Sequence, residues 1–376
     1  MPNRFGLTAR LPLTCGGMLA LALCGLALGQ SASTPSATIT TFDAPGAGTG
    51  FRQGTTATGI NAAGAITGYY VDAGNVYHSF VRSPYGVFEV FDAPGAGTGY
   101  QEGTDANSIN DAGAVTGYYI DGNAVGHGFL RDASGVVTTF DAPPVSGTSG
   151  TYAYSINNAG AIAGFFIQGA LYYSFVRSPT GVFTTFAAPG SGGDGLNGTW
   201  GYSINDAGAV AGSAKFNSPR YSSPYWSFVR NPFGAIDPFS APGAGSSSSE
   251  GTQAFGINNA GAVTGYYVDP QGVTHGFVRT PRGVFIRVDA PGATEAHTFA
   301  VGINDAGAVT GYFNIDAGLM HSFVRSSSGV FLAFDAPGAG GSAYSGTFAG
   351  SINDAGAVTG YYIDAYSTYH GFLRTP

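Results

Sequence analysis

Few residues in this chain have both the type and the spacing that catalysis requires. Glu295 and His297 stand two residues apart in one loop, where an acid and an imidazole could act as a general acid–base pair, but that loop offers no obvious nucleophile. Asp105 is another candidate, yet glycoside hydrolysis usually requires two carboxylates. Asp194 or Glu250 would have to supply the second one. These residues therefore favour binding over catalysis.

Asp105 belongs to a set of seven residues, one in each copy of an internal repeat, which we call the variable set. Its immediate neighbours change less from copy to copy, whereas the set itself contains six residue types, mostly aromatic. The members are Thr56, Asp105, Tyr152, Trp200, Gln253, Phe299 and Phe348. In a closed ring of repeats this position would enter the innermost strand and surround the mouth of the central channel. We predict that the set contacts a ligand, because loops carried by a rigid scaffold are where binding usually occurs.

The fourth copy of the repeat departs most from the others. The loop between its second and third segments is enlarged and contains Lys215, Phe216, Arg220, Tyr221, Tyr225 and Trp226. The preceding loop, expected on the same face, contains Asp194, Asn197 and Trp200. Aromatic, amide and acid groups on such a face suit sugar or peptide binding, so Tyr225 and Trp226 join the predicted site. The alternative is that these aromatic residues simply pack the insertion against the scaffold.

The repeat itself runs through most of the chain and fixes these positions. An Ile-Asn pair recurs seven times, 46 to 53 residues apart, with its asparagines at Asn61, Asn110, Asn157, Asn205, Asn258, Asn304 and Asn353. A period in this range is typical of propellers and other repeat arrays. Each copy contains four short apolar segments bounded by Gly, Asp, Asn or Pro, as strands joined by tight turns should be.

The two ends of the repeat indicate how the ring closes. The run 38–45 matches the run 137–143, so the repeat region opens on a fourth segment, whereas the seventh copy stops after its third segment at Leu373-Arg374. We therefore predict an all-β, seven-bladed β-propeller of four-stranded blades, closed by the N-terminal strand pairing into the last blade. A β-solenoid is the alternative, but it has no need of such a completion.

The N-terminal segment 1–33 differs from the rest of the chain. Arg4 and Arg10 precede the apolar stretch Met18–Leu28, and small residues follow it. This pattern predicts a secretory signal peptide, which is too short to remain as a membrane-spanning helix. We expect a secreted protein, extracellular or periplasmic, with residues 34–376 forming a single propeller domain and no integral membrane segment after cleavage.

Composition limits the chemistry of the remaining chain. Both cysteines, Cys15 and Cys24, lie in the segment that cleavage would remove, so we expect no disulfide and no cysteine metal site. The chain contains 14 basic and 22 acidic residues, for a net charge of −8 at pH 7, and the basic residues are not clustered. Nucleic acid is therefore not an expected partner.

Polar residues that recur in most copies are expected to be structural, because a catalytic group is needed once and in one geometry. The recurring arginines and the acids after the fourth segment should cap turns and form inter-strand ion pairs: Arg82, Arg131, Arg177, Arg230, Arg279, Arg325, Arg374, Asp43, Asp92, Asp141, Asp289 and Asp335. The recurring histidines should lie too far apart to share a metal: His78, His127, His275, His321 and His370. We predict no cofactor. Calcium is the alternative, through a loop position held by Asp72, Asp121, Asp269, Asp316 and Asp364.

The histidines belong to a motif of His, a small residue and Phe, as in His127-Gly128-Phe129. With the Ile-Asn-x-x-Gly turn upstream, this pattern resembles the bacterial extracellular repeats of the HAF type, named for a His-Ala-Phe motif. The resemblance covers all seven copies, although Ser or Gly replaces Ala, and Tyr173 and Trp226 replace His in copies three and four. It implies a secreted repeat protein with a propeller fold and brings no established activity.

Together these features predict a secreted, non-enzymatic propeller that binds a glycan or a protein on its looped face. The alternative is a secreted propeller hydrolase or lyase that acts at the channel mouth. A purely structural role, as a surface or matrix component, is a third hypothesis that low charge and high glycine content would also suit.

Overall fold

The fold consists of short β-strands. The computed structural model describes residues 37–143, 148–190, 197–218, 221–291, 297–314 and 318–376. This part of the chain contains 28 strands and no helix, which confirms the predicted all-β class. The expected signal peptide lies outside the described residues. Within those residues, no helix has the length and apolar character needed to cross a membrane.

The strands follow one another at the spacing of the repeat. They are β1 (Thr38–Phe42), β2 (Gly54–Ile60), β3 (Ile66–Val71), β4 (Tyr77–Arg82), β5 (Phe88–Phe91), β6 (Gly103–Ile109), β7 (Val115–Ile120), β8 (Gly126–Arg131), β9 (Val137–Phe140), β10 (Thr148–Ile156), β11 (Ile162–Gln168), β12 (Leu171–Arg177), β13 (Phe183–Phe186), β14 (Asn197–Ile204), β15 (Val210–Ser218), β16 (Tyr221–Arg230), β17 (Ile236–Phe239), β18 (Gly251–Ile257), β19 (Val263–Val268), β20 (Thr274–Arg279), β21 (Phe285–Val288), β22 (His297–Ile303), β23 (Val309–Asn314), β24 (Met320–Arg325), β25 (Phe331–Phe334), β26 (Gly346–Ile352), β27 (Val358–Ile363) and β28 (Tyr369–Thr375).

Antiparallel pairing groups these strands in fours, which we call modules 1 to 7. Module 1 contains β2 to β5, and each later module takes the next four strands in order. Module 7 contains β26, β27, β28 and β1, because β1 pairs with β28 from Thr38 opposite Thr375 to Phe42 opposite Gly371. The strand at the start of the repeat therefore completes the last module, as the two ends of the repeat predict.

A ring of hydrogen bonds joins all the modules where their first strands end. The asparagine of each Ile-Asn pair donates from Nδ2 to the backbone carbonyl of the corresponding asparagine in the next module; we call these residues the asparagine ring, Asn61, Asn110, Asn157, Asn205, Asn258, Asn304 and Asn353. The last bond returns from Asn353 to Asn61 at 3.0 Å, so the ring is closed. A closed ring of four-stranded antiparallel sheets is the architecture of a β-propeller.

Each asparagine also fixes the turn that follows it. In module 2, Asn110 Oδ1 accepts the N–H of Ala114 at 2.9 Å, and the N–H of Gly113 donates to the Asn110 carbonyl at 2.9 Å. Gly113 has a φ of 84°, which residues with a side chain rarely adopt. The Asn-Asp-Ala-Gly sequence thus forms the predicted tight hairpin turn.

Aromatic residues and arginines hold neighbouring modules together. Each module buries one phenylalanine of its third strand almost completely: Phe80, Phe129, Phe175, Phe228, Phe277, Phe323 and Phe372. The recurring arginine of one module lies over a fourth-strand phenylalanine of the module before it, as when Arg82 Cζ lies 4.7 Å from the centre of the Phe42 ring. Five further arginines repeat this cation–π contact.

The predicted role of these arginines therefore needs a correction. Two of them form ion pairs, Arg131 with Glu89 and Arg279 with Asp237. Weak bonds to turn carbonyls also occur, such as Arg131 Nη1 to Asp132 O at 3.4 Å. Six of the seven arginines, however, contact an aromatic ring across the module boundary, and the prediction of turn caps and ion pairs did not include this contact.

The recurring histidines are packed within their own modules. His78 Nδ1 lies 3.0 Å from Asp92 Oδ2, its Nε2 lies 3.6 Å from Asp72 Oδ2, and its ring stacks on Tyr70 at 5.0 Å. Asp72 Oδ1 also accepts the N–H groups of Gly74 and Val76. Both oxygens of this proposed calcium ligand thus already have protein partners. In the described part of the chain, no three His, Cys, Asp or Glu side chains are placed to hold a metal ion.

Candidate functional site: the central cavity

A cavity of about 700 Å³ occupies the centre of the ring. Its wall includes one residue from the first strand of every module, two positions after the variable set; this second variable set is Thr58, Asn107, Tyr154, Tyr202, Phe255, Val301 and Gly350. Each member is the extra, unpaired residue of a β-bulge in its strand, as Thr58 is between Ala57 and Gly59. Sequence reasoning missed this set, although it contains as many residue types as the variable set.

The predicted variable set lies beside the cavity and only partly in its wall. Thr56 and Phe348 line the cavity directly. Other aromatic members are wedged between second strands of adjacent modules; Phe299, for example, lies 5.0 Å from the ring of Tyr266 and 4.9 Å from that of Tyr312. Tyr152 makes the equivalent contacts with Tyr118 at 5.0 Å and Phe165 at 5.2 Å. Gln253 lies opposite Tyr266 across its strand pair.

The second strands contribute an aromatic ring opposite most members of the variable set, and the sequence analysis did not single out these rings. Ring contacts of 4.9 to 6.5 Å then run without a break through modules 2 to 7, along Tyr118, Tyr154, Tyr202, Phe255, Tyr266, Phe299, Tyr312, Phe348 and Tyr361. Burial raises the pKa of Tyr266 to about 12 and those of Tyr154, Tyr202 and Tyr361 further. These phenols are therefore neutral, and the cavity presents an uncharged surface of aromatic, aliphatic and small polar residues.

Asp105 is the exception in this aromatic belt. The Tyr118 hydroxyl donates to its Oδ2 at 3.0 Å, whereas its Oδ1 is buried with no hydrogen-bond partner among the described residues. Part of the residue remains exposed, but protein encloses its carboxyl group, and this burial raises the pKa of Asp105 to about 7. A carboxylate with one free oxygen, poised between its two protonation states, therefore adjoins the cavity.

The module 4 residues predicted to bind ligand separate into two groups. Trp200 and Tyr225 are brought together, with ring centres 6.2 Å apart, and Trp200 also contacts Tyr172 at 5.1 Å. Lys215 lies over Tyr225, with Nζ 4.4 Å from the ring centre. Trp226 is the next residue on the strand, so it points to the opposite face and packs against the module 4 core. All four lie outside the wall of the central cavity.

The residues proposed for catalysis do not assemble into a site. Glu295 and Asp194 lie outside the described residues. His297 Nδ1 accepts the N–H of Thr274 at 3.1 Å, which ties this ring to module 5. Glu250 Oε2 accepts the N–H of Ser247 at 2.7 Å and caps its own loop. None of the described residues in the cavity wall is acidic or basic, so Asp105 has no carboxylate partner there.

A smaller cavity of about 180 Å³ lies at the other end of the channel, within the asparagine ring. The residues that follow the ring asparagines also link the modules: Ala62, Asp111, Asn158, Asp206, Asn259, Asp305 and Asp354. The Asp111 N–H, for example, donates to Asn158 Oδ1 at 2.9 Å, and Asn158 Nδ2 donates to Asp111 Oδ2 at 2.8 Å. Polar groups at this end are therefore largely occupied by contacts between modules.

Comparison with known proteins supports the fold and leaves the activity open. No protein-family model and no curated protein sequence matches the chain. Virginiamycin B lyase from Staphylococcus aureus is similar in structure, with a TM-score of 0.53 and 13% identity over 90% of this chain and 99% of that one. A puromycin hydrolase is also similar in structure, with a TM-score of 0.50 and 12% identity over 82% of this chain. The match covers 50% of the puromycin hydrolase. A fucose-specific lectin from Aleuria aurantia is more distant, with a TM-score of 0.40 and 12% identity over 69% of this chain and 86% of that one. Identities this low show shared architecture alone, and the chain is an all-β, propeller-like protein.

Proposed function

We propose that this chain is a secreted seven-bladed propeller of the HAF-repeat type that binds a small glycan in its central cavity. The seven modules are its blades. The observation that carries the proposal is the cavity of about 700 Å³, walled by aromatic rings that rigid strands hold in place. Small-molecule sites usually have volumes of roughly 300–1,000 Å³ and combine apolar and aromatic surface with a few polar groups.

The cavity also offers hydrogen-bonding groups of the kind that a sugar requires. Ser108, Ser155 and Ser203 line it, and each accepts a backbone N–H of the next module at its Oγ, which leaves the hydroxyl hydrogen free to donate. The rings of Tyr202 and Phe255, stacked at 5.2 Å, offer flat apolar surface for a sugar face. Binding would thus combine stacking with a few directed hydrogen bonds.

A hydrolase or lyase is the second candidate, and one observation favours it. Asp105 has a pKa raised by burial to about 7 and accepts a hydrogen bond from Tyr118, a combination found in general acid–base pairs. The lack of a second carboxylate in the described cavity wall argues against glycoside hydrolysis. Binding requires only the groups that the cavity already displays, and we therefore place it first.

Calorimetric titration against a panel of neutral and amino oligosaccharides tests the proposal. We expect one sugar class to bind wild type and to bind Tyr202→Ala about tenfold more weakly, since an aromatic contact contributes about 0.5–1.5 kcal/mol beyond its buried area. Tyr85→Ala is the matched control, because Tyr85 is 94% exposed on a turn. Equal loss in both variants, or no binding by any sugar, would contradict the proposal. Chromatography of the recovered sugar would reveal cleavage and support the enzyme instead.

A further inference from the structure

The buried carboxyl group of Asp105 lacks a counter-charge, unlike several other acids among the described residues. Asp92 and Asp43 each pair with a histidine, and Asp237 pairs with Arg279. Asp105 receives one hydrogen bond from the neutral Tyr118, and none of the described residues in the cavity wall is Lys, Arg or His. A buried carboxylate with a free oxygen is costly unless something pairs with it.

The groups that face Asp105 come from four strands, and all of them are phenols. They are Tyr69 on β3, Tyr77 on β4, Tyr118 on β7 and Tyr154 on β10. Burial raises the pKa of Tyr69, Tyr77 and Tyr154, and the charge of Asp105 raises that of Tyr118, so all four are neutral at ordinary pH. Their rings carry negative charge on their faces and attract cations. No neighbour from these strands can supply the missing positive charge.

We propose that the central cavity selects a ligand with an alkylammonium group, which supplies the counter-charge that Asp105 lacks. The inference rests on the proposed function, because it assumes that the cavity is the ligand site. A substituted ammonium ion suits the site for two reasons. Aromatic faces attract it, and the carboxyl group of Asp105, whose Oδ1 has no hydrogen-bond partner among the described residues, lies just behind the cavity wall, two residues before Asn107, where its charge can act on a cation at short range. Among glycans, amino sugars unite such a cation with a stacking ring.

Choline and 3,3-dimethylbutan-1-ol test the inference, because they have almost the same shape and only choline is charged. In calorimetric titrations at pH 8 we expect wild type to bind choline about tenfold more tightly than the neutral alcohol, in line with a desolvated cation–π contact and attraction to the ionised carboxylate. Only the ionised carboxylate attracts the cation, so choline affinity should fall as pH decreases from 8 through 7 and level off below about 6, by no more than about tenfold in total, whereas alcohol affinity should not change.

Asp105→Asn should reduce the preference for choline and abolish its pH dependence. Asp132→Asn is the matched control, because Asn231 makes the same turn contacts in module 4 that Asp132 makes in module 2. Equal affinity for the two ligands, or a preference that Asp105→Asn leaves unchanged, would overturn the inference and leave a neutral-ligand cavity intact. Sugars that bind without competing with choline would also overturn the inference. The wild-type pH profile tests the inference even if Asp105→Asn fails to fold, and a cavity that binds neither sugars nor choline would also end the proposed function.

Discussion

The two ends of the central channel differ in how much their residues vary from module to module. At one end, seven asparagines make the same bond to the next module, with Nδ2 to carbonyl distances of 2.9 to 3.1 Å. A few residues earlier on the same strands, the variable set and the second variable set each contain six residue types. The strands are common to both ends, so the backbone does not explain the difference. Uniform residues meet a uniform need, which is closing the ring, whereas irregular residues leave an asymmetric surface that can recognise a ligand.

Of the changes that we predict, opening the ring should have the largest effect on stability. Deleting residues 37–43 removes β1, exposes the edge of β28, and takes Phe42 away from Phe80 and from Arg82. We expect the cooperative thermal transition to be lost, with association of the exposed edges. Circular dichroism melting and analytical ultracentrifugation would detect both effects.

A synthetic peptide with the β1 sequence is the control for that deletion. Its addition should restore the thermal transition, because the missing strand can pair with β28 without being covalently linked. A truncated chain that melts within a few degrees of the full-length protein would show that closure by β1 is not needed for stability.

The second prediction concerns stability at the irregular end. Burial raises the pKa of Asp105 to about 7 in the folded protein from 3.8 in the unfolded chain. The folded protein therefore binds more protons between these values, so the free energy of unfolding should decrease as pH rises from about 4 to 7 and level off above. Asp105→Asn should remove this slope and be more stable than wild type at pH 8, by roughly 1–3 kcal/mol.

Thermal melts of both proteins from pH 5 to pH 8.5 would measure that effect. The difference between the two curves isolates Asp105, because other titrating groups are common to both. A difference that does not change with pH would mean that Asp105 ionises normally. Asp105 would then be an ordinary carboxylate, and its proposed role beside the cavity would be wrong.

A smaller difference in stability should distinguish the boundary crossed by Arg279 from the one crossed by Arg325. Arg279 lies 4.6 Å over Phe239, whereas the position that corresponds to Phe239 before Arg325 holds Val288. Arg279→Leu should therefore cost about 1 kcal/mol more in free energy of unfolding than Arg325→Leu, since it removes both a cation–π contact and an ion pair. Urea denaturation of the two variants would measure the difference. Equal costs would show that the arginines act through packing alone.

Repetition explains which features the sequence predicted. The fourth-strand sequence that ends at Phe42 and the missing fourth strand after Arg374 predicted the pairing of β1 with β28. The variable set was found because it differs between copies. The aromatic residues opposite it, such as Tyr266 and Tyr312, were missed because they scarcely vary, although their ring contacts complete the belt.

Other features could not be derived from repetition. Strand alternation alone would have separated Trp226 from Tyr225, because adjacent residues in a strand point to opposite faces. Tyr202 could not be found in this way, because it is the extra residue of a β-bulge between Gly201 and Ser203. The environment of Asp105 was beyond sequence reasoning. Its burial and its free oxygen depend on Tyr69, Tyr118 and Tyr154, which come from three modules.

The contrast between the two ends can be tested along a single strand. Tyr202 lies near the end of β14 and lines the cavity, whereas Asn205 directly follows β14 and belongs to the asparagine ring. The decisive measurement is the ligand affinity and the melting temperature of Tyr202→Ala and Asn205→Ala side by side. We predict that only Tyr202→Ala changes the affinity. It should bind about tenfold more weakly, because it loses a stacking surface at the cavity, and it should also melt at a lower temperature, because it loses its ring contacts with Tyr154 and Phe255.

Asn205→Ala should keep its affinity while folded and lose about 2–3 kcal/mol of stability, because it removes bonds to Asn258 and Ala209 and leaves buried groups unpaired. If folded Asn205→Ala lost affinity as Tyr202→Ala does, the two ends of the channel would not have separate roles, and the central claim would be wrong.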